Sequence, residues 1–219
     1  MVGPAENKAW KILESEYLVK RPWLTARRDK VELPDGRVND EYYVLEYPDW
    51  VNVIAVTEDG MFVMESQYRH GLGAACYEIP CGVIEEGEDP LEAGKRELLE
   101  ETGYSGGTWR KVMTMSVNPG SMNNMIHCYL AEGVVKTDGQ NLDATEDLSV
   151  HLMTREEVKE LLDADMIVSS QQSAPLWKYF NMIPALPSNL HGSSQTYTNE
   201  NNINNHENLF RRIHKRRQD

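Results

Sequence analysis

The sequence lacks the features of an exported, disulfide-bonded or membrane-spanning protein. It has three cysteines, an odd number, without C-x-x-C spacing or a companion histidine pattern, which argues against a disulfide framework or a zinc site. No apolar run approaches the roughly 18 residues that a transmembrane helix needs, and no basic segment followed by an apolar one opens the chain. We therefore expect a cytoplasmic protein without a membrane partner.

Basic residues are scarce outside the C-terminal end. The chain has 22 lysines and arginines against 35 aspartates and glutamates, which gives a formal charge of −13. The last eleven residues alone carry +4, so the remainder carries −17. A surface of this sign attracts cations and argues against nucleic acid as a partner of the main body.

Apolar residues become rare after residue 187. Asparagine makes up seven of the 21 residues from 188 to 208, and such a segment buries too little surface to offset the cost of ordering it. We predict a flexible tail over 188–219, whose basic end is either an accessory segment or a binder of RNA or of an acidic surface. The preceding chain divides into an N-terminal β segment over 1–48 and a main domain over 49–187.

The N-terminal segment has the pattern of antiparallel β structure. Two strand-like runs rich in tyrosine, valine and tryptophan flank Pro34-Asp35-Gly36, which is a strong turn pattern. The runs are also polar, as expected either for the edge hairpin of a monomer or for a hairpin at an interface. The composition alone does not choose between them.

The main domain mixes strand-like and helix-like segments. An apolar run over 50–57 and the next run over 61–69 predict a hairpin whose first strand is buried on both faces. Three further strand-like runs follow: TWRKVMTMSV, MIHCYLAEGVV and LSVHLMT. A capping box at Thr154 opens a helix, and Pro175 predicts that a last helix either begins near Ser173 or is kinked there. The order of elements predicts an α/β fold.

The stretch from Gly82 to Tyr104 carries the strongest pattern in the chain. Gly82 is followed after five residues by Glu88, and after seven more by RELLEETGY. The pattern is G-x5-E-x7-R-E-U-x-E-E-x-G-U, where U is aliphatic or aromatic. Its seven fixed identities arise by chance at less than about 10⁻⁸ per start position.

Local chemistry predicts a helix inside this stretch. Asp89 suits the N-cap and Pro90 the first helical position, where a missing N–H costs nothing. Gly103 suits the end, since glycine tolerates the left-handed conformation just past a helix. The residues predicted to form an inward-packing stripe are Leu91, Lys95, Leu98 and Thr102.

Three glutamates lie on another face of the predicted helix. Glu97, Glu100 and Glu101 stand at i, i+3 and i+4, where like charges repel by a few tenths of a kcal/mol per pair. A divalent metal ion would turn this repulsion into ligation, because Mg²⁺ and Mn²⁺ favour carboxylate oxygens. The alternative is an acidic face that is simply solvated.

The complete pattern resembles the signature of the Nudix hydrolases. The resemblance implies a Nudix-type α/β/α sandwich with a mixed sheet, preceded here by the N-terminal antiparallel β segment. It also implies hydrolysis of a phosphoanhydride with Mg²⁺ or Mn²⁺ as cofactor. Arg96 is expected to hold glutamates of the loop and helix by charge-assisted hydrogen bonds. Glu88 is either such a partner or an outer-shell ligand of the metal. The metal ligands that the resemblance implies are the backbone carbonyl of Cys81 and the carboxylates of Glu97, Glu100 and Glu101.

Marks outside the signature resemble the ADP-ribose pyrophosphatase branch of the family. Pro119 lies 15 residues beyond Tyr104, and Arg69 and Glu78 match positions that contact the diphosphate and the nucleoside in that branch. The branch also implies a carboxylate base on a loop after the helix. From the candidates Asp143, Glu146 and Asp147 we select Glu146 as this base. Together with Glu100 and Arg96 of the signature, it completes the set of predicted catalytic residues.

The branch implies a substrate and an assembly. The substrate is ADP-ribose or a related nucleoside diphosphate sugar, with AMP and ribose 5-phosphate as products, and the enzyme is a homodimer formed through the N-terminal segment. Trp23, Tyr42 and Tyr43 are candidates for stacking on adenine, although aromatic residues in strands belong more often to a core. One departure is the neutral stretch over 120–124, where the branch has small and acidic residues. Alternatives are another substrate, such as GDP-mannose or a dinucleotide, and a non-catalytic sensor of nucleotide sugars.

Overall fold

The structure is a computed structural model and describes residues 8–182. These residues form two compact units, one comprising the chain up to Asp49 together with Met115–Met125, and the other comprising the remainder. The grouping of 115–125 with the N-terminal unit was not indicated by the sequence. The predicted boundary between 48 and 49 stays a prediction, and the predicted tail over 188–219 lies outside the described residues.

The N-terminal unit is built on a three-stranded antiparallel sheet. Its strands are β1 (Lys11–Arg21), β2 (Leu24–Glu32) and β3 (Val38–Glu46), paired in chain order. Gly36 has a φ of 85° in the turn between β2 and β3, and its N–H donates to the carbonyl of Leu33 at 2.9 Å. The predicted turn and the predicted antiparallel β segment are confirmed.

The loop over 115–125 packs on β3 through main-chain groups. The N–H of Leu45 donates to the carbonyl of Ser121 at 2.7 Å, and the hydroxyl of Tyr42 donates to the carbonyl of Gly120 at 2.6 Å. These bonds use the peptide groups of the loop, so they require no acidic side chains. The backbone of the neutral stretch after Pro119 is therefore attached to β3 within this unit.

The second unit contains a mixed sheet. Its strands are β4 (Trp50–Thr57), β5 (Phe62–Arg69), β6 (Ala74–Glu78), β7 (Cys81–Val83), β8 (Tyr104–Ser116), β9 (Met125–Lys136) and β10 (Leu148–Met153). The order is β10-β5-β4-β9-β8, with β6 beside β5 and β7 beside β4. Strands β4 and β9 are parallel, whereas β5 is antiparallel to β4, β6 and β10.

Helices cover both faces of this sheet. They are α1 (Pro90–Thr102), α2 (Arg155–Asp163) and α3 (Ser170–Met182). None of the helices within residues 8–182 is long and apolar enough to cross a membrane. On one face, Val51 and Val53 of β4 share a buried cluster with Leu98 of α1. On the other face, the ring of Phe62 meets that of Tyr179 on α3, with centroids 5.4 Å apart. Because successive strand residues face opposite sides, this arrangement is an α/β/α sandwich, as predicted.

Of the two alternatives for the last helix, a start near Ser173 is excluded. The helix starts at Ser170, and Pro175 lies inside it and is buried. Proline lacks an N–H, so the carbonyl four residues earlier, that of Gln171, loses its helical donor. The buried Asn52 of β4 supplies the missing bond, with its Nδ2 2.7 Å from that carbonyl. A partner from the sheet therefore replaces the bond that proline removes.

The inward stripe of α1 also differs from the prediction. Leu98 and Thr102 are fully buried, but Lys95 is exposed and binds Glu92 at 2.8 Å. Gly94 takes the inner position instead, because a Cβ there would lie only 3.2 Å from Cγ2 of Val51. The glycine in mid-helix, which costs about 1 kcal/mol relative to alanine, lets α1 approach β4 closely.

Candidate active site

Helix α1 is held at both ends as its sequence predicts. Asp89 has extended backbone angles, and its Oδ1 accepts the N–H of Leu91 at 2.9 Å. Pro90 occupies the first turn, and Gly103 ends the helix in the left-handed conformation, with φ 70°. With these ends set, Glu97 and Glu101 fall on the buried side of the helix, at 9% and 6% exposure.

Both of these carboxylates contact strand β7. Oε2 of Glu101 accepts the backbone N–H of Cys81 at 2.9 Å. The carboxyl of Glu97 lies against Gly82, where an added Cβ would stand 2.0 Å from its Cδ. A glycine is therefore needed at this position because the carboxylate occupies the space of a side chain.

Arg96 connects the helix to the loop before it. Its Nε and Nη2 bind the two carboxylate oxygens of Glu88, both at 2.9 Å, and its Nη1 binds Oε1 of Glu97 at 2.8 Å and Oε2 of Glu100 at 3.2 Å. The hydrogen bond from Arg96 lowers the pKa of Glu88. Arg96 thus offsets part of the negative charge of the cluster.

Burial acts in the opposite direction on the helix carboxyls. Desolvation raises the pKa of Glu97 above its ordinary range, against the lowering effect of Arg96. Desolvation also raises the pKa of Glu101, and the charge of Glu65 is the next largest cause. Within residues 8–182, the positive charge near Glu97 and Glu101 does not offset the cost of burying their carboxylates.

Glu65 belongs to this cluster and was not identified from the sequence. It lies on β5 at 3% exposure, and its Oε1 has no hydrogen-bond partner among the described residues. Burial and the neighbouring charge of Glu78 raise its pKa. The only sequence signal for a role of Glu65 was its position directly after the three apolar residues FVM. The structure was needed to show on which face of the strand Glu65 lies.

Arg69 and Glu78 bind each other on neighbouring strands. Nε of Arg69 donates to Oε1 of Glu78 at 2.8 Å, and its Nη2 bonds Oε2 of the same carboxylate. Glu78 is buried, whereas the side chain of Arg69 is 46% exposed at the end of β5. The hydrogen bonds to Glu78 raise the pKa of Arg69. Glu78 therefore orients a guanidinium whose outer side faces solvent.

The remaining predicted residues have separate surroundings. Glu146 stands in the loop before β10, where its Oε2 accepts the N–H of Asp143 at 2.9 Å. Its charge contributes to raising the pKa values of Glu97 and Glu101, which brings it electrostatically into the cluster. Pro119 lies in the N-terminal unit, within the segment 115–125.

Gln172 supports the segment that carries Cys81 and was also missed. The side chain of Gln172 is 1% exposed, and its Oε1 accepts the N–H of Ile79 at 2.6 Å. Its Nε2 lies 3.2 Å from Sγ of Cys81. Helix α3 thereby holds the bend between β6 and β7 and positions the backbone that meets Glu101. Nothing in the local sequence of α3 indicated this contact.

The donor set fits a hard divalent cation, although it is not preassembled as a cage. Among residues 8–182, no three His, Cys, Asp or Glu side chains are arranged so that they could hold a metal ion as they stand. Arg96 binds two of the predicted ligands, Glu97 and Glu100. The buried unpartnered oxygen of Glu65 and the oxygen-only chemistry of the carboxylates nevertheless match the preferences of Mg²⁺ and Mn²⁺.

A mixed sheet between helices, with a carboxylate-lined helix beside a close-packed glycine, defines a Nudix-type domain. Residues 47–172 match the family model described as "NUDIX domain". The chain therefore belongs to the Nudix family, which confirms the resemblance found in the signature. Residues 10–45 match a second model, described as "Nucleoside diphosphate sugar hydrolase N-terminal domain".

Individual relatives extend over most of the chain. A protein of Bacillus methanolicus named "Methanol dehydrogenase activator" is 32% identical over 74% of this chain and 87% of its own. The "ADP-ribose pyrophosphatase" of Bacillus subtilis is 31% identical over 72% of this chain and 85% of its own. A solved "ADP compounds hydrolase" superposes with a TM-score of 0.71 at 18% identity, covering 82% of this chain and 96% of that one. This last similarity supports the fold.

Proposed function

We propose that the protein hydrolyses the pyrophosphate bond of ADP-ribose, or of a related nucleoside diphosphate sugar, in a metal-dependent reaction that releases AMP and ribose 5-phosphate. The observation that carries the proposal is the placement of two buried α1 carboxylates, Glu97 and Glu101, on the backbone of Cys81 and Gly82. The similarity to the ADP-ribose pyrophosphatase of Bacillus subtilis and the match of residues 10–45 support the substrate class.

The cofactor in this proposal is Mg²⁺ or Mn²⁺. The groups that would hold it are the carbonyl of Cys81 and the carboxylates of Glu97, Glu100 and Glu101. When bound, such an ion neutralises the charge of the diphosphate and promotes attack by water. Arg96 binds the two oxygens of Glu88, both at 2.9 Å, so it would keep a counter-charge if Glu97 and Glu100 held the ion.

Other side chains of the chain act on the substrate. Arg69 presents its exposed guanidinium, oriented by Glu78, and a planar guanidinium binds two phosphate oxygens at once. Glu146 accepts the proton of the attacking water at its carboxylate, as a general base. Its contact with the N–H of Asp143 holds the carboxylate within the loop. Substrate binding by Pro119 stays a prediction from the resemblance.

The direct test is turnover of ADP-ribose by the full chain with Mg²⁺. We expect AMP and ribose 5-phosphate in equal amounts, and Glu101→Gln should lower kcat/KM by about 10²-fold or more, because small losses of positioning already cost that much. Glu92→Gln is the matched control: Glu92 lies on the same helix, is exposed, and pairs only with Lys95 among the described side chains. Absence of ADP-ribose turnover by folded, metal-loaded protein would reject this function.

A substrate panel separates this proposal from its alternatives. Comparing kcat/KM for ADP-ribose, GDP-mannose and a dinucleotide ranks the substrates directly. A non-catalytic sensor would bind a nucleotide sugar without turnover, and its binding would be indifferent to Glu101→Gln.

We further propose that the chain forms a homodimer through the N-terminal sheet. All eleven residues of β1 are exposed, and they include Ile12, Leu13, Tyr17, Leu18 and Val19. Apolar side chains gathered on one exposed strand are typical of a surface that another chain covers. A second copy is the occupant proposed here, since the match of residues 10–45 shows that the whole segment is a recognised module of such hydrolases.

The proposed dimer can be tested by changing two leucines that are similarly exposed but lie on different sheets. Leu18 on β1 and Leu152 on β10 are 47% and 48% exposed, so Leu18→Glu and Leu152→Glu introduce the same charge at similar exposure. Light scattering after size exclusion should show a dimer for the wild type and for Leu152→Glu, and a monomer for Leu18→Glu. A monomeric wild type at micromolar concentration would contradict the proposal.

A cytoplasmic location is also part of the proposal. Cys76, Cys81 and Cys128 are all free thiols in the structure, which suits a reducing compartment. Fractionation of cells that express the full chain would locate it.

A further inference from the structure

Glu65 is a buried carboxylate that the signature does not include and the proposed mechanism does not use. It is 3% exposed, and its Oε1 is buried without a hydrogen-bond partner among residues 8–182. The three residues before it on β5, Phe62, Val63 and Met64, are apolar and buried. Buried carboxylates normally have a hydrogen-bond donor or a cation beside them, so the free oxygen of Glu65 requires an explanation.

The face of β5 that Glu65 occupies is the face that α1 covers. Val63, two residues earlier, belongs to the buried cluster that includes Ala93 and Leu98 of α1. Residues two apart in a strand point to the same side of the sheet. Val150, directly opposite Glu65 on β10, also packs against this cluster. Glu65 is therefore directed toward the helix that carries the predicted metal ligands.

The charges around Glu65 are mostly negative. Glu78 is its direct cross-strand partner on β6, and such partners have Cβ atoms about 4.5–5.5 Å apart. Electrostatic interactions also link Glu65 to Glu97 and Glu101 of α1 and to Glu146 in the loop before β10. Each of these groups is an oxygen acceptor, so none of them can donate to Glu65 when ionised.

Two arginines of the site bind other carboxylates. The charge of Arg69 lowers the pKa of Glu65, but Nε and Nη2 of Arg69 both bind Glu78. Arg96 binds both oxygens of Glu88 as well as Glu97 and Glu100. The available hydrogen-bond donors therefore leave the Oε1 of Glu65 without a partner.

We propose that Glu65 is an additional ligand of a divalent metal ion, contributed by the sheet and shared with Glu101 of the signature helix. The proposal rests on the proposed metal-dependent function and adds a residue that lies outside the signature. A hard cation such as Mg²⁺ or Mn²⁺ fits a site made of carboxylate oxygens from two directions. The ion would give Oε1 of Glu65 the direct partner that it lacks among the described residues.

The test measures metal binding without substrate. Metal-free full-length protein is titrated with Mn²⁺, and free Mn²⁺ is counted by electron paramagnetic resonance. Glu65→Gln should weaken the tightest Mn²⁺ site by at least about tenfold, since even groups that only support metal ligands contribute 10–100-fold. Glu92→Gln, on the exposed side of α1, should leave the affinity and the number of bound ions unchanged.

A second variant separates ligation from a general effect of charge. Glu65→Asp keeps the charge and withdraws the carboxylate by one methylene, so a ligand role predicts weaker Mn²⁺ binding than in the wild type, and a purely electrostatic role predicts nearly normal binding. A thermal melt of each metal-free variant verifies folding, and the rise in Tm on adding Mn²⁺ should shrink for both variants. Wild-type Mn²⁺ affinity in Glu65→Gln, or in Glu65→Asp, would overturn the proposal.

The outcome is independent of the assignment of substrate. If the wild type binds Mn²⁺ but does not cleave ADP-ribose, the proposed function fails while the loss of Mn²⁺ binding in Glu65→Gln still supports the ligand role. If the wild type cleaves ADP-ribose and Glu65→Gln binds Mn²⁺ normally, only the role of Glu65 is rejected.

Discussion

Replacing Gly82 by alanine isolates the contact between β7 and the signature helix. A Cβ at this position would lie 2.0 Å from Cδ of Glu97, and 2.1 and 2.3 Å from its two carboxylate oxygens. Nonbonded carbon atoms settle near 3.5 Å, so the carboxylate must move by roughly 1.5 Å. A displacement of about 1 Å at a reacting site can cost 10²-fold in rate. We therefore expect kcat/KM for ADP-ribose to fall by about 10²-fold or more.

The same change should have little effect on stability. The atoms that clash form the far end of a flexible side chain, and the φ of Gly82 lies outside the positive region that favours glycine. The loss of unfolding free energy should be near about 1 kcal/mol, the low end of the range for overpacking. Steady-state kinetics with Mg²⁺ and urea denaturation measure the two quantities separately.

Gly71→Ala is the control for this experiment. No atom lies within 4 Å of the Cβ that alanine would add at Gly71, and its φ is not in the positive range. This variant should keep wild-type rates and stability. Wild-type activity in Gly82→Ala would refute the reasoning, because it would show that the position of Glu97 against β7 does not matter for the reaction.

Three further predictions concern stability and pH. Because burial raises the pKa of Glu65 from 4.5 to about 8, the folded state holds a proton that the unfolded state releases. The unfolding free energy of the metal-free protein should therefore fall as the pH rises from about 5 to 8, by at most about 1.4 kcal/mol per pH unit for this group. In Glu65→Gln, the midpoint of urea unfolding should change less with pH than in the wild type. Asn52→Ala should cost about 1–3 kcal/mol, because the carbonyl of Gln171 loses its donor; an unchanged urea midpoint would contradict this. Gly94→Leu should destabilise by more than about 2 kcal/mol in the same assay, since even a Cβ there stands 3.2 Å from a β4 side chain, whereas a tolerated leucine would show that α1 can move away from the sheet.

The features that sequence reasoning predicted are those set by neighbours in the chain. The N-cap at Asp89, the end of α1 at Gly103 and the capping box at Thr154 all depend on residues within one helical turn. The carboxylate face of α1 follows from spacing alone, because residues three and four apart share a face. These predictions needed no knowledge of the sheet, and the structure agrees with them.

The features that were missed depend on contacts between distant segments. Pro175 stays inside α3 because Asn52, 123 positions earlier, bonds the carbonyl that the proline leaves open. Lys95 fits the period of the inward stripe, but Gly94 allows the close approach to β4 and leaves the lysine outside. Arg69 binds Glu78 although the register of β5 and β6 places Arg69 opposite Ala74, and no local pattern specifies this contact.

The electrostatics of the described site favour a cation for one physical reason. Three carboxyls, Glu65 on a strand and Glu97 and Glu101 on a helix, are each 9% exposed or less and interact electrostatically. Burying that much like charge opposes folding unless protons or a cation compensate. Arg96 reaches only Glu97 among the three, so the metal-free fold accommodates the others through raised pKa values. A divalent ion would remove the same penalty without a proton, and the stability that the cluster costs the metal-free protein would then be recovered as affinity for the metal. On this reasoning, neutralising Glu65 or Glu101 should stabilise the metal-free protein near pH 8 while it weakens metal binding, as is common where function and stability compete for the same residues.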